Sequence, residues 1–304
     1  VFDFLQEEWL LTEEKLHSKT EYYIENFIPK EGITMWYAKS GEGKTWFSLA
    51  VAKYILDNHS DVRVLIYMDF DNPRATLSDR NVELLISNYH NFKFLHRSTI
   101  SISPSELLVN IGKGAFGENY KDCIFMIDAA RDVAEGDMYN DTKVRAMMDV
   151  CKNIREARGT IIFNHHATKN GKQIDGSGEF AKSLDVLYRL GQHSKTEGMI
   201  HLNLDAEKER LPVLDQTFTV DTKTLCLRPM DDRVARIDGD DKAFIDQVKD
   251  VLSKTKDGMG QSELLAKMGL EKSDRPARAR LEAFTGTFWN VAQGARNSKV
   301  YTLV

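Results

Sequence analysis

Two hydrophobic rhythms divide the chain. Residues 33–37, 62–68, 92–95, 123–127, 160–163 and 186–190 are runs rich in Val, Ile, Met and Phe. Strands buried on both faces need such unbroken apolar runs. Between them the apolar residues recur at helical spacing, as in residues 46–56. This alternation predicts an α/β domain with a mostly parallel sheet and helices on either side. Residues 201–204, 218–220 and 224–228 read as an antiparallel extension, and the polar, aperiodic residues 229–241 as a linker.

A second pattern follows the linker. Residues 242–252 and 261–268 have helical periodicity, the latter closed by Gly269, and a third helix starts at Ser273-Asp274 with Pro276 in its first turn. Residues 288–291 and 299–303 flank the glycine-containing stretch 292–298, which signals a hairpin. Three helices and a hairpin predict a small winged-helix domain at 242–304. At the other end, residues 1–19 are helix-like and are expected to form a linker helix, and the start at Val1 suggests a piece of a longer protein.

The turn after the first strong strand carries the chemistry. Ala38-Lys39-Ser40-Gly41-Glu42-Gly43-Lys44-Thr45 matches the phosphate-loop pattern G-x-x-x-x-G-K-[ST], with alanine at the first glycine. A strand precedes it and a helix follows, as a triphosphate cradle requires. Gly41 and Gly43 let backbone N–H groups turn inward, and the helix N-terminus adds partial positive charge. Lys44 is expected to reach the β and γ phosphates of ATP, and Thr45 to place its hydroxyl on Mg²⁺. A methyl group at Ala38 restricts the turn only slightly.

Other strand ends supply partners for the loop. Residues 123–127 run into Asp128, the expected carboxylate of the Mg²⁺ shell. The strand before Asp69-Phe70-Asp71-Asn72-Pro73 brings two carboxylates to the nucleotide crevice. One of them is expected to handle the attacking water, Asp71 in preference to Asp69; an Asx-turn role before Pro73 is the competing assignment. Residues 160–163 end in Asn164-His165-His166. His165 is the candidate sensor of the γ-phosphate, with a structural hydrogen bond as the plainer reading; paired adjacent histidines without a third ligand argue against a metal site.

Composition narrows the setting. The chain has 304 residues, 41 Lys and Arg against 46 Asp and Glu, a formal charge of −5. That balance excludes a wholly basic nucleic-acid coat. Residues 241–304 carry 11 basic against 8 acidic residues, so a mildly basic tail follows an acidic body. Cys123, Cys151 and Cys226 are too scattered for a disulfide framework or metal cluster, which fits a reducing cytoplasm. No run approaches a membrane span, and no signal peptide is visible, so no membrane partner is expected.

The order of phosphate loop, acidic strand end, Asp128, His165, Gly176-Ser177-Gly178 and Lys208-Glu209-Arg210 resembles the RecA-type core of hexameric replicative helicases, such as plasmid RepA, bacterial DnaB and related phage enzymes. The likeness covers about residues 20–225. It implies a RecA-like P-loop ATPase domain at 20–228, with γ-phosphate sensing at His165. Lys169 and Lys172, with Lys182, are then expected to meet single-stranded DNA in a central channel. Lys208 and Arg210 map to an element that enters the neighbouring subunit's site, Arg210 as an arginine finger in trans; composition alone reads them as a solvated charge cluster. The expected assembly is a homo-oligomer, a hexameric ring. The overall pattern also resembles the helicase part of a phage or plasmid primase-polymerase, which places a primase or polymerase in the same polypeptide and the protein in a bacterial host's cytoplasm. Aspartate at the position of the usual catalytic glutamate leaves binding more secure than hydrolysis. Arg275, Arg278 and Arg280, with Arg296 and Lys299 at the hairpin, are the tail's DNA-binding candidates; a protein-interaction role is the alternative. Competing functions are a RecA-, RadA- or KaiC-like ATPase without unwinding and a nucleotide-switched winged-helix replication regulator.

Overall fold

Apolar runs become the central strands of a nine-stranded sheet in the computed structural model, which describes residues 19–134, 137–196, 198–230, 239–255, 258–294 and 298–304. The expected N-terminal helix and Arg296 lie outside these residues. The chain divides into two units, Val1–Pro229 and Met230–Val304.

The first unit opens with two short antiparallel strands, β1 (Tyr22–Ile24) and β2 (Ile28–Pro29). Strand β3 (Ile33–Ala38) is buried throughout and leads through the phosphate loop into α1 (Lys44–Asn58). Then come β4 (Val64–Asp69), the short helices α2 (Arg74–Asp79) and α3 (Val82–Asn88), β5 (Phe92–His96) and α4 (Pro104–Lys113). Next are β6 (Cys123–Asp128), α5 (Ala130–Val133), α6 (Asp141–Glu156), β7 (Thr160–His166) and α7 (Glu179–Ser183). Four strands complete the unit: β8 (Val186–Thr196), β9 (Met199–Glu209), β10 (Gln216–Asp221) and β11 (Cys226–Pro229). The sheet order is β11-β10-β9-β8-β3-β7-β6-β4-β5. From β8 to β5 every neighbour is parallel, and from β8 to β11 every neighbour is antiparallel. The fold is therefore mixed α/β with a large, mostly parallel central sheet flanked by helices.

Strand alternation assigns side chains to faces. On one face Trp36, Met126 and Ile162 pack with Phe47, Val51 and Ile55 of α1. Trp36 and Phe47 meet edge to face at 5.1 Å, worth about 1 kcal/mol beyond their buried area. On the other face Met35, Phe125, Ile161 and Phe163 pack with Met148, Cys151 and Ile154 of α6. Asn164 and His166 thus continue the α1 face, while His165 continues the opposite one. The parallel strands' carboxyl ends gather at one edge of the sheet, where open α/β sheets bind ligands.

The hairpin of β8 and β9 is longer than the apolar pattern predicts. Polar residues such as Gln192 and Lys195 sit within β8, and Lys208 and Glu209 close β9. An antiparallel pair tolerates such residues where one of its faces is uncovered.

In the second unit, helices Gly239–Ser253, Gln261–Lys267 and Arg275–Ala283 surround Val248, Leu264, Leu281, Trp289 and Tyr301. Its sheet has the order β12 (Met259–Gly260), β14 (Lys299–Leu303), β13 (Trp289–Gln293), all antiparallel. The third helix starts where Asp274 accepts the Ala277 N–H at 2.9 Å, with proline in its first turn. Among the described residues, no helix is long and apolar enough to cross a membrane.

Candidate active site

The phosphate loop joins β3 to α1 with Gly41 at φ 85° and Gly43 at φ 87°, a left-handed backbone that favours glycine. Ala38, by contrast, ends β3 in extended backbone, so its methyl group meets no conformational barrier. Lys39 donates its N–H to the Glu42 carboxylate at 3.1 Å, bracing the turn, and Ser40 is exposed. The buried Lys44 amine donates to the carbonyls of Ala38 and Lys39 at 2.9 and 2.8 Å. Burial pushes its pKa down, and the charges of Asp128, Glu42 and Asp71 work against that.

Thr45 donates its hydroxyl to Asp128 Oδ2 at 2.9 Å, and the Tyr67 hydroxyl donates to the same oxygen at 3.2 Å. This places the carboxylate expected for the Mg²⁺ shell directly against the loop. Two hard oxygen donors side by side suit Mg²⁺, which takes few protein ligands and keeps waters or phosphate oxygens for the rest. Among the described residues no group of three or more His, Cys, Asp and Glu could hold a metal by itself.

A cavity of about 270 Å³ opens over the loop, and Gly41, Gly43, Lys44, Thr45 and Asp128 line it. Asp71 also lines it, beside Asn72, Arg80 and His166. Asp71 is paired with the Arg131 guanidinium, and His166 Nε2 lies 3.6 Å from Asp71 Oδ2. His166 and then Arg131 hold the Asp71 carboxyl below the usual carboxylate range. Arg80 donates to Asn72 Oδ1 at 2.7 Å.

Asp69 is placed differently. It is fully buried, its Oδ1 accepts the N–H groups of Asp71 and Asn72 at 3.2 and 2.9 Å, and its Oδ2 accepts the Asn72 amide at 2.8 Å. Asp69 therefore builds the turn that aims Asp71 and is removed from the water-handling candidates. Burial and then the nearby Asp128 charge push its pKa up, and the three N–H donors hold it back.

His165 needs the same correction. It is fully buried on the α6 face, its Nε2 lies 2.6 Å from the Asp175 carbonyl, and its ring packs 4.8 Å from Phe180. Burial lowers its pKa to about 4. Its neighbour His166 is the histidine at the cavity. His166 Nε2 and Asn164 Nδ2 are buried without hydrogen-bond partners, although Asn164 Oδ1 accepts from Ser48 at 2.6 Å. Of the two residues only His166 lines the cavity, and with the Lys44 amine and the inward-turned N–H groups of the loop it makes a donor set that fits a triphosphate.

Lys208 and Arg210 lie far from this cavity in their own chain. Glu209 pairs with Val186, which pairs with Thr34, four residues before Ala38. At ~3.3 Å per residue that is roughly 13 Å toward the opposite end of the sheet. The Lys208 amine donates to the carbonyls of Ala181 and Lys182 at the end of α7, at 2.5 and 2.7 Å. Arg210 donates to Asp185 Oδ1 at 3.3 Å and to the Lys182 carbonyl at 3.2 Å. Asp185 is also held by Arg155 at 2.9 and 3.0 Å.

Lys169 and Lys172 are exposed on the loop after β7, outside the cavity lining, and Lys182 pairs with Glu179 at 2.8 Å. In the second unit, Arg275, Arg278 and Lys299 line a cleft of about 770 Å³, with Arg278 3.3 Å from Gln261 Oε1. Arg280 leaves this group: it pairs with Asp241 at 2.8 Å and lies over the Phe244 ring.

Sequence reasoning missed His166, Arg80, Arg131, Trp46, Gln192 and Lys195. For His166 the strand period was the available signal, once the α1 face was known. Arg80 and Arg131 reach the site only through tertiary folding and carry no local signature. A comparison of the chain with protein-family models and with curated protein sequences returns no match in either.

Proposed function

We propose that this chain is a Mg²⁺-dependent ATPase with a RecA-like domain followed by a winged-helix domain, which assembles as a ring, probed first as a hexamer, and moves along single-stranded DNA as a replicative helicase. The observation that carries the reading is one cavity in which the phosphate loop, the Thr45–Asp128 pair and the Asp71–His166 pair converge. The parallel strand order around β3 supports the RecA-like assignment, and three helices with the β12-β14-β13 sheet support the winged helix.

Lys44 offers its cation to the phosphates, while Thr45 and Asp128 hold Mg²⁺. When bound, Mg²⁺ would neutralise charge that develops during phosphoryl transfer. Asp71 orients the attacking water. Its depressed pKa suits a fixed hydrogen-bond acceptor better than a store for the proton. Arg131 fixes the carboxylate, His166 stands 3.6 Å from it, and Asp69 fixes the turn beneath it. In this reading Lys208 and Arg210 exchange their own-chain partners Ala181, Lys182 and Asp185 for a neighbouring copy's cavity, which completes each site in trans. Lys169 and Lys172 are offered to the strand's phosphates.

Phosphate release with and without single-stranded DNA, coupled to strand displacement, tests the proposal. DNA-stimulated hydrolysis that Lys44→Ala abolishes is the expected result. Hydrolysis indifferent to DNA, with no unwinding, would contradict it.

A further inference from the structure

The cavity over the phosphate loop has two chemically different ends, because β3 lies inside the sheet with unlike neighbours on each side. Strands β7, β6 and β4 bring His166, Asp128 and Asp71 to one end. The β8–β9 hairpin brings Gln192, Lys195 and Ile200 to the other, and Trp46, directly after Thr45, joins the lining. Hairpin and loop are in close register: a Cβ built on Gly43 would stand 3.6 Å from both Ile200 Cγ2 and Leu202 Cδ2.

A nucleoside triphosphate is equally two-ended, with a polyanion at one end and a flat heteroaromatic base at the other. The carboxylate and histidine end holds the groups assigned to hydrolysis, so it takes the terminal phosphate. The base then falls toward Trp46 and the hairpin. Trp46 supplies an indole face, Ile200 an apolar surface, and Gln192 an amide that can both donate to and accept from a base edge.

We propose that Trp46 and the β8–β9 hairpin form a nucleobase subsite in which the base stacks on the Trp46 indole, Ile200 covers it and Gln192 meets its edge, with purines favoured for their larger stacking surface. This rests on the reading of the phosphate loop as a triphosphate site.

The test is calorimetric titration of the full chain, in Mg²⁺, with ATP and separately with inorganic tripolyphosphate, which has no base. ATP is expected to bind more tightly. Trp46→Ala should weaken ATP by about tenfold or more, the usual scale of lost base stacking, and leave tripolyphosphate unchanged. Unchanged tripolyphosphate affinity also reports that the variant is folded. In a Trp9→Phe background, where only the fully buried Trp36 and Trp289 remain beside position 46, Trp46→Phe should keep most of the ATP affinity while removing ATP-induced quenching of tryptophan emission. ATP affinity unaltered in Trp46→Ala, equal loss of both ligands, or quenching that survives in Trp46→Phe would overturn the subsite. Failure of the phosphate-loop reading looks different: Lys44→Ala would leave tripolyphosphate binding as it is in the parent chain, and both inferences would fall.

Discussion

Asp71→Asn and Asp69→Asn should have opposite consequences, although the two carboxylates stand two residues apart at the end of one strand. The Asp71 side chain is 27% exposed and its partner Arg131 45%, so their ion pair contributes about 0–1 kcal/mol. Asp71→Asn should therefore barely move the unfolding midpoint. Replacing the charged carboxylate by a neutral amide, with one acceptor oxygen turned into an NH₂ donor, should lower turnover by roughly 10²–10⁴ with ATP affinity kept. Asp69 is 0% exposed and accepts three N–H groups. Its asparagine variant keeps Oδ1 but sets a second NH₂ against the Asn72 amide, which costs about 1–3 kcal/mol. Relief of repulsion from Asp128 offsets part of that. Asp69→Asn should thus show a lowered urea midpoint and partial activity. Phosphate release under saturating Mg²⁺ and ATP, beside urea unfolding of the same preparations, separates the two. Turnover abolished at unchanged stability in Asp69→Asn, with Asp71→Asn still active, would refute the assignment.

Three further outcomes follow from the same geometry. His165 titrates near 4 in the folded chain against about 6.5 unfolded, so between those values the unfolded chain binds more protons and stability rises with pH. His165 should remove up to about 3 kcal/mol as pH falls from 6.5 to 4; a His165→Asn variant whose urea midpoint shows the same pH dependence as the parent would contradict this. Asp71 stays ionised below the usual carboxylate range, so the acid limb of kcat, where the fold survives, should lie below a pH of about 3.9; a limb between about pH 5 and 7 would assign the base elsewhere. In the tail, Arg275→Ala with Arg278→Ala should weaken binding of single-stranded or duplex DNA and reduce its salt slope by about 2, whereas Arg280→Ala should lower stability and leave the slope alone, both read by fluorescence anisotropy.

What was legible in the sequence was local. Gly41, Gly43, Lys44 and Thr45 act through a single turn whose backbone the sequence itself dictates, and Asp128 follows from a buried strand that must end at the loop's edge of the sheet. The choice between His165 and His166 was not legible. Both follow the same apolar run, and only packing of Ile162 toward α1 and of Ile161 and Phe163 toward α6 decides which ring meets the cavity. Asp69 and Asp71 differ in the same way, since burial and three donors make one a turn builder. The length of the β8–β9 hairpin was hidden because its outer residues are polar, and Gln192 and Lys195 were hidden with it. Arg275, Arg278 and Arg280 looked alike in sequence, yet helical geometry turns Arg280 to Asp241.

The central claim is that each hydrolytic site is shared between two copies. Arg155 keeps Asp185 paired when Arg210 is removed, so Arg210→Ala should fold normally and fail only in turnover. Lys44→Ala should fail through the loop. Mixed in equal amounts and allowed to exchange, the two inactive variants should recover about a quarter of the parental phosphate release, because one interface in four pairs an intact loop with an intact Arg210. A mixture no more active than the two variants apart would contradict the shared site.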